Sequence, residues 1–438
     1  MSFRPVRFTM AGRDNISLLR IMATLANETE HRLPDAVALE RWIVQQGLDG
    51  ITAEVVLKGF CTRVSAGGIQ IQRGLSAMRV LHPLYKGFGL IWRRAKGTVE
   101  EEIYSGDRVS PEIWQRSTFK VMVDDGEPEV RRRLLGPEAG EEFPVLEDFR
   151  QEGATDYFAM ICGYAVEFAS DQRFGVVFTF TTDREDGFSA AELDFFRSIL
   201  PTLALTLRVA INRRFTQAIA DAYLGRDAAR RVLSGEIERG HVETVSAVLF
   251  YSDLCGFTAL GDRLGQHELV ELLNEYLACM AEPVEARGGQ VLKFMGDGML
   301  GTFELPGEGG AKARGETGIA ALEAAMDVLT RISELNQTRR AAGQPTMALN
   351  IALHLGNVAY GNVGSPMRLD FTVIGPAVNE VSRLEGMCDS LERRLLISEA
   401  FANAMPEDGP DLLPLGRHGL RSVREPVRLF TVEQVPEP

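Results

Sequence analysis

The sequence predicts a multi-domain protein of the α+β class. Strand-like and helical stretches are concentrated in residues 51–212 and again in residues 242–435, and a charged helical stretch over residues 213–241 separates them. The 438 residues are enough for about two hydrophobic cores, and 45% of them are hydrophobic, as in an ordinary globular protein. We therefore expect two folded domains joined by a helical linker, preceded by a helical segment over residues 1–50.

Composition limits the partners of the chain. The formal net charge of −14 disfavours nucleic acid and acidic lipid, because both are themselves negatively charged. No apolar run reaches the roughly 18 residues of a membrane span, and the N-terminus lacks a signal-peptide pattern, so we expect no membrane partner and a cytoplasmic location. The five cysteines are an odd number without metal-site spacing, which predicts reduced thiols.

The N-terminal region begins with two predicted helices and continues with strands. Residues 35–46 have helical spacing with Asp35 as the cap, and residues 52–64 form a second helix. The strand predictions that follow are residues 88–92, 98–104, 157–168 and 175–182, with a helix over 145–151. A sheet with helices before and after it is therefore expected.

A capping box, formed by Ser189 and Glu192, opens a long helix after the last of these strands. The apolar residues of this helix have coiled-coil spacing over about two heptads. Packing against the helix's own sheet would give the same stripe, and we expect Pro201 to kink the helix.

The order of these elements resembles a GAF-like sensor domain, as does the stretch Asp186-Gly187-Phe188-Ser189 before the long helix. The resemblance implies an α/β domain with a regulatory role. Its aromatic side chains, such as Tyr85, Trp92 and Tyr164, could line a pocket for a small-molecule ligand, and a plain hydrophobic core is the alternative interpretation.

The C-terminal region opens with a predicted strand and helix. Residues 245–250 form a short apolar run typical of a buried strand, so Asp253 is expected just past its end. Gly256 permits a tight turn, and the apolar spacing from Leu260 to Met280 predicts one helix that opens at Thr258 and is closed by Gly288-Gly289.

A predicted hairpin follows this helix. Residues 290–294 and 299–303 are strand-like, and Met295-Gly296-Asp297-Gly298 between them is a turn signal. This arrangement brings Asp253 and Asp297 to adjacent strand ends, where two carboxylates can bind a hard cation such as Mg²⁺. Either aspartate alone could instead be a turn former or a helix cap.

A second helix and strand, over residues 318–336 and 348–353, complete a ferredoxin-like βαββαβ palm, with residues 356–364 as a turn region. We expect His354 to be a packed residue and not a catalytic base. Residues 365–385 then predict a strand, a Gly-Pro turn and a helix. This helix carries Asn379 and Arg383 four residues apart, on one face.

These motifs, in this order and spacing, resemble the catalytic domain of the class III nucleotidyl cyclases over residues 243–434. The resemblance implies that Asp253 and Asp297 are metal ligands, with Mg²⁺ or Mn²⁺ as two ions per site. It also implies that Asn379 positions the ribose and that Arg383 stabilises the charge on the α-phosphate in the transition state. The charged stretch before this domain resembles the helical transducer segments of the family, and a solvated linker is the alternative.

Two further residues occupy the purine-reading positions of the family. Lys293 is where adenylate cyclases place a lysine, and a lysine donates hydrogen bonds, which suits the acceptor N1 of adenine better than the protonated N1 of guanine. Thr372 is where many members have aspartate, and threonine marks a known adenylate cyclase subclass. We therefore predict ATP as the substrate and 3′,5′-cyclic AMP as the product. A guanylate or mixed-specificity cyclase and a non-catalytic nucleotide-binding module remain the alternatives.

The closing segment of the family is also represented. Arg421 and Ser422 occupy places where a lysine and a glycine are usual, so Arg421 is predicted to contact phosphate, with a plain surface arginine as the alternative. Sites of the family lie between two catalytic domains, and one such domain is evident here. The resemblance therefore implies a homodimer with two symmetric sites.

Overall fold

The structure is a computed structural model that describes residues 33–104, 115–136, 142–164, 174–306, 310–420 and 426–433. The chain divides into two compact units, Met1–Thr216 and Gln217–Pro438. Among the helices in these ranges, none is both long and apolar enough to cross a bilayer.

The N-terminal unit contains a six-stranded antiparallel sheet with the strand order β3-β2-β1-β6-β5-β4. Its helices are α1 (Ala36–Leu48), α2 (Ala53–Ala66), α3 (Thr118–Val123), α4 (Pro144–Gln151) and α5 (Ala190–Leu224), the last of which continues into the second unit. Its strands are β1 (Arg73–Arg79), β2 (Gly87–Arg93), β3 (Thr98–Tyr104), β4 (Glu129–Arg133), β5 (Asp156–Tyr164) and β6 (Phe174–Thr182).

Most predicted elements of this unit are confirmed. Both N-terminal helices are present, and the Asp35 side chain accepts a hydrogen bond from the Ala38 amide, as expected of a cap. The sequence did not predict β1, β4 or α3. The third predicted strand ends at Tyr164, and the remainder of that prediction lies outside the described residues.

The core of the N-terminal unit lies between one face of the sheet and helices α1, α2 and α5. Aromatic rings dominate it, and the Phe180 and Phe196 rings stack with centroids 4.6 Å apart. The Ser189 and Glu192 pair forms the predicted capping box, with Ser189 N–H donating to the Glu192 carboxylate at 2.7 Å and the reciprocal bond at 3.3 Å. Helix α5 continues through Pro201 without interruption.

The C-terminal unit contains an eight-stranded sheet, in which β13-β14-β12-β10-β7-β9-β8 is the continuous order and β11 pairs with β10. Its helices are α6 (Arg226–Ser234), α7 (Phe257–Gly261), α8 (Gln266–Ala286), α9 (Gly310–Ala341), α10 (Pro376–Glu385) and α11 (Glu399–Ala402). Its strands are β7 (Val242–Cys255), β8 (Gln290–Met295), β9 (Gly298–Glu304), β10 (Ala348–Ser365), β11 (Arg368–Ile374), β12 (Leu395–Ser398), β13 (Leu412–His418) and β14 (Val427–Val432).

The predicted ferredoxin-like order is present in this unit. Strands β7, β8, β9 and β10 with helices α8 and α9 follow the βαββαβ sequence, and the four strands lie in the antiparallel order β10-β7-β9-β8. Three local predictions were wrong. Asp253 lies inside β7 and not past a strand end, and residues 356–364 belong to β10 and are not a turn. The single helix predicted from Thr258 to the Gly288-Gly289 pair is divided into α7 and α8.

The two faces of this sheet are buried under different helices. Val248, Phe250 and Leu254 of β7 pack in the cluster that includes α8 and α9. Leu249 of β7 packs in the opposite cluster, which includes α6 and α10. Because side chains alternate along a strand, Asp253 is on the same face as Leu249 and therefore on the face covered by α10.

Candidate functional site

The two predicted metal-binding aspartates lie close together, one on β7 and the other in the loop between β8 and β9. Asp253 of β7 is the cross-strand partner of Gly298 of β9, and Asp297 is in the two-residue loop before Gly298. This loop is the predicted hairpin turn, and Gly296 takes the positive φ of 69° that such turns require. The pairing of β7 with β9 thus brings the two aspartates together, as the sequence predicted.

Gly298 is required by the close approach of the Asp253 carboxylate. A Cβ atom at position 298 would lie only 2.6 Å from Asp253 Oδ1 and 3.0 Å from the Ser252 carbonyl oxygen. Any larger residue would therefore displace the carboxylate or separate the strands. The turn sequence Gly-Asp-Gly consequently serves the site in two ways, through the backbone turn at Gly296 and through the missing side chain at Gly298.

Negative charge accumulates at this site. Burial, and then the nearby Asp297 carboxylate, raises the pKa of Asp253 to about 6. A third acid, Glu385 at the end of α10, has its pKa raised to about 7 by burial and by the charges of Asp253, Asp389 and Asp297, against a hydrogen bond with Asn350 that lowers it. Three carboxylates thus repel one another in a half-buried place.

This donor set fits a divalent cation. Hard cations such as Mg²⁺ and Mn²⁺ prefer carboxylate oxygens, and a bound cation would relieve the repulsion that raises the two pKa values. In the described part of the chain no group of three or more His, Cys, Asp or Glu side chains is placed so that it could hold a metal ion. Asp253 and Asp297 are the pair of residues that would bind such a cation.

The sequence did not predict the residues that surround Asp253. Asn350 of β10 is its cross-strand partner on the side opposite Gly298. The Asn350 amide donates to Asp389 at 3.1 Å, and its oxygen accepts from Arg394 Nη1 at 2.8 Å. Glu385 completes this group. The sequence contains a signal for Asn350, which is a polar residue within the apolar run of β10.

The helix α10 carries the other two predicted catalytic residues. Its buried face contains Ala377, Val381 and Leu384, while Asn379 is exposed and Arg383 is half-buried. Within the described ranges neither the Asn379 side chain nor the Arg383 guanidinium contacts Asp253 or Asp297. Helix α10 approaches the aspartates instead through Glu385, at its last residue.

The two predicted purine-reading residues lie on β8 and β11. The Lys293 ammonium is 3.4 Å from Asp370 Oδ2, and Asp370 precedes Thr372 by two residues on the same strand. Thr372 is only 7% exposed, and its hydroxyl oxygen has no hydrogen-bond partner. A buried hydroxyl without a partner is energetically unfavourable, which is consistent with a ligand group that completes it.

The two remaining candidates have different outcomes. His354 is buried, as expected, with Nε2 3.4 Å from Glu380, and burial lowers the pKa of its imidazole. Arg421 and Ser422 lie outside the described residues, so the role predicted for Arg421 stays a prediction.

Comparison with known proteins finds similarity over the C-terminal unit. Residues 239–430 match the family model of the adenylate and guanylate cyclase catalytic domain. The chain is 32% identical to an adenylate cyclase of Anabaena cylindrica over 168 residues, covering 37% of this chain and 32% of that protein. It is 30% identical to adenylate cyclase 1 of Rhizobium meliloti (strain 1021) over 220 residues, covering 48% and 31%. The chain thus spans about a third of the length of these curated relatives.

Among solved structures, the adenylyl cyclase CyaB from P. aeruginosa is 27% identical, with a TM-score of 0.40 over 45% of this chain and all of that one. The family match covers the stretch that contains the aspartate pair, Lys293, Thr372 and the α10 residues. Residues 239–430 of this chain are therefore similar to the catalytic domain of the adenylate and guanylate cyclases.

Proposed function

We propose that the chain is an adenylate cyclase that converts ATP to 3′,5′-cyclic AMP and pyrophosphate. The observation that carries this proposal is the placement of Asp253 beside Asp297. The role proposed for Lys293 as the adenine-reading residue comes from its place in the sequence and supports the choice of ATP. The named relatives that are at least 30% identical, from Anabaena cylindrica and Rhizobium meliloti, are adenylate cyclases, which supports the same choice.

Specificity for ATP rests on Lys293 and Thr372. The Lys293 ammonium can donate to N1 of adenine, and the unpartnered Thr372 hydroxyl can accept from the 6-amino group. Guanine would place a protonated N1 against the ammonium, where both groups are donors. A guanylate or mixed-specificity cyclase is the alternative, since a hydroxyl can also donate and so excludes guanine less firmly than a carboxylate would.

The chemistry follows from the charges at the site. The ribose 3′-oxygen attacks the α-phosphorus in line, forming one P–O bond while the bond to pyrophosphate breaks. Divalent cations held by Asp253 and Asp297 would lower the pKa of the 3′-hydroxyl and neutralise the phosphates. Arg383 offers a permanently charged planar fork to the phosphate oxygens, and Asn379 orients the ribose. Catalysis is then mainly positioning and charge stabilisation.

The active form in this proposal is a homodimer. The aspartates of one copy would face Lys293 of the partner subunit and Arg383 of the partner subunit, giving two symmetric sites. The support is that Asn379 and Arg383 make no contact with the aspartates among the described residues of one chain. In the same proposal the N-terminal unit is a GAF-like sensor that regulates these sites by moving the two catalytic domains relative to each other.

The test is product formation by the purified full-length chain, with ATP and GTP supplied separately and Mg²⁺ or Mn²⁺ added. We expect cyclic AMP from ATP and none without a divalent cation. Asp297→Asn should lower turnover by roughly a hundredfold or more, because a metal ligand is lost. Asp262→Asn is the matched control, since Asp262 is an exposed aspartate at the end of α7.

Each other outcome has a defined meaning. Equal turnover of GTP would replace the adenylate assignment with mixed specificity. Nucleotide binding without any product, under all metals, would favour a non-catalytic nucleotide-binding module. Full activity of Asp297→Asn would reject the metal role of Asp297.

A further inference from the structure

Arg73 is a buried cation inside the N-terminal unit. It is the first residue of β1, which lies in the interior of the six-stranded sheet, and only 8% of it is exposed. Its Nη1 donates a long hydrogen bond of 3.4 Å to the Thr179 hydroxyl, and the guanidinium lies 4.8 Å from the centre of the Phe149 ring. Its Nε has no hydrogen-bond partner.

Arg73 differs from every other buried, permanently charged side chain that the structure describes. Asp156 pairs with Arg131, Glu192 with Arg184, Asp227 with Arg231, and Arg339 with Glu275. Arg73 has no acidic partner within hydrogen-bond distance in the described ranges.

The neighbouring strands carry charges of both signs: Arg93 on β2 disfavours the charged form of Arg73, and Glu102 on β3, which accepts a hydrogen bond from Tyr104, favours it. The cross-strand partner of Arg73 on β2 is Arg93, whose own guanidinium is already engaged by Glu100 at 2.8 Å. Burying an ion without a counter-ion is energetically unfavourable, and an N–H donor without an acceptor adds to that cost. Binding of an anion from outside the chain would therefore lower the free energy of the folded domain.

We propose that Arg73 binds the oxyanion of a small ligand of the N-terminal unit, a phosphate or a carboxylate. The Arg73 Nε–H is buried without an acceptor and belongs to a planar fork that matches two oxygens of such a group, so the anion would enter the interior beside it. The Phe149 ring fixes the plane of the fork, and the Thr179 hydroxyl can provide a further hydrogen bond. This inference is independent of the activity proposed for the C-terminal unit.

The experiment measures thermal unfolding of the full-length protein in sodium chloride, sodium phosphate and sodium acetate at equal ionic strength. We expect phosphate or acetate to raise the Tm of the wild type by roughly 2–4 °C or more relative to chloride. A response to phosphate alone identifies a phosphate-bearing ligand, and a response to acetate alone identifies a carboxylate.

Three variants locate the response. Arg73→Met should be as stable as the wild type or more stable in chloride, because an unpaired charge is removed, and it should lose the anion response. Arg73→Lys keeps the charge without the fork and should bind the anion roughly tenfold more weakly. Arg93→Met is the matched control and should retain the response. Anions that bind at the nucleotide site should raise the Tm of every variant equally, so this contribution cancels when the variants are compared.

The proposal is overturned by a wild type that responds to neither anion, or by an Arg73→Met variant that still responds. It is equally overturned if Arg73→Met is clearly less stable in chloride, since the guanidinium would then already be satisfied within the fold.

Discussion

Two aspartates, one in each unit, have very different surroundings. Asp156 in the N-terminal unit is completely buried, yet it accepts hydrogen bonds from Arg131 at 2.8 Å and from the Phe188 amide at 3.0 Å, with Arg133 at 3.5 Å. Asp253 in the C-terminal unit is only half-buried and lies beside another aspartate, with no cation among its described partners.

Under the proposed function, Asp156 is a structural acid and Asp253 is a functional one. The charge of Asp156 is compensated within the fold, so its removal should cost stability. The charge of Asp253 is uncompensated until a cation arrives, so its removal should cost activity and leave stability intact. Three substitutions, in order of decreasing effect, test this contrast.

The largest effect is expected for Asp253→Asn. Turnover of ATP should fall by roughly a hundredfold or more, because one metal ligand and its charge are lost. The free energy of unfolding should stay equal or rise slightly, because the repulsion between Asp253 and Asp297 is removed. Product formation and urea unfolding of the same preparation measure both. A variant that loses activity only because it unfolds would contradict the contrast.

Asp156→Asn should act in the opposite way. The free energy of unfolding should fall by about 3 kcal/mol, because two arginines lose their shared partner at a buried position. Asp194→Asn is the matched control, since Asp194 forms an exposed pair with Arg197 and should cost at most about 1 kcal/mol. Urea unfolding followed by circular dichroism measures the difference. Equal stability of the two variants would show that the buried Asp156 contributes no more to the free energy of unfolding than an exposed ion pair does.

A smaller effect is expected for Gly298→Ala. The added methyl group would collide with Asp253 Oδ1, so the carboxylate must move. Turnover should fall roughly tenfold, and half-maximal turnover should require a higher concentration of Mg²⁺ or Mn²⁺, because the displaced carboxylate binds the cation more weakly. Gly265→Ala is the control, because a Cβ there has no heavy atom within 4 Å. A metal titration of turnover distinguishes the two. Unchanged metal dependence in Gly298→Ala would mean that the position of Asp253 is less critical than its charge.

Short sequence motifs were sufficient to predict part of the fold and part of the candidate site. The hairpin that contains Asp297 was predictable because four consecutive residues, Met295-Gly296-Asp297-Gly298, are enough to specify the turn. Helix α10 was predictable from the Gly-Pro pair at its start. The strands β1 and β4 were not predictable, because their sequences, Arg-Gly-Leu-Ser-Ala-Met-Arg and Glu-Val-Arg-Arg-Arg, lack a strand-like composition. Pairing with neighbouring strands determines their conformation.

The surroundings of Asp253 required tertiary structure. Asn350 comes beside Asp253 only through the antiparallel pairing of β7 with β10, and Glu385 only through the packing of α10 on that face. No spacing along the chain encodes either contact. The pairing of Lys293 with Asp370, 77 residues apart, is a further example.

Side chains alternate between the two faces of β7, and this limits how the sequence of the strand can change. Phe250 and Asp253 are three residues apart, and they belong to opposite faces of the same strand, one in the core and the other at the site. A substitution changes one face at a time. Insertion or deletion of a single residue between them would exchange the faces, turning a carboxylate towards the hydrophobic core and Leu254 towards the substrate. Across relatives of this domain, β7 should therefore differ in composition while keeping a constant length between these two positions.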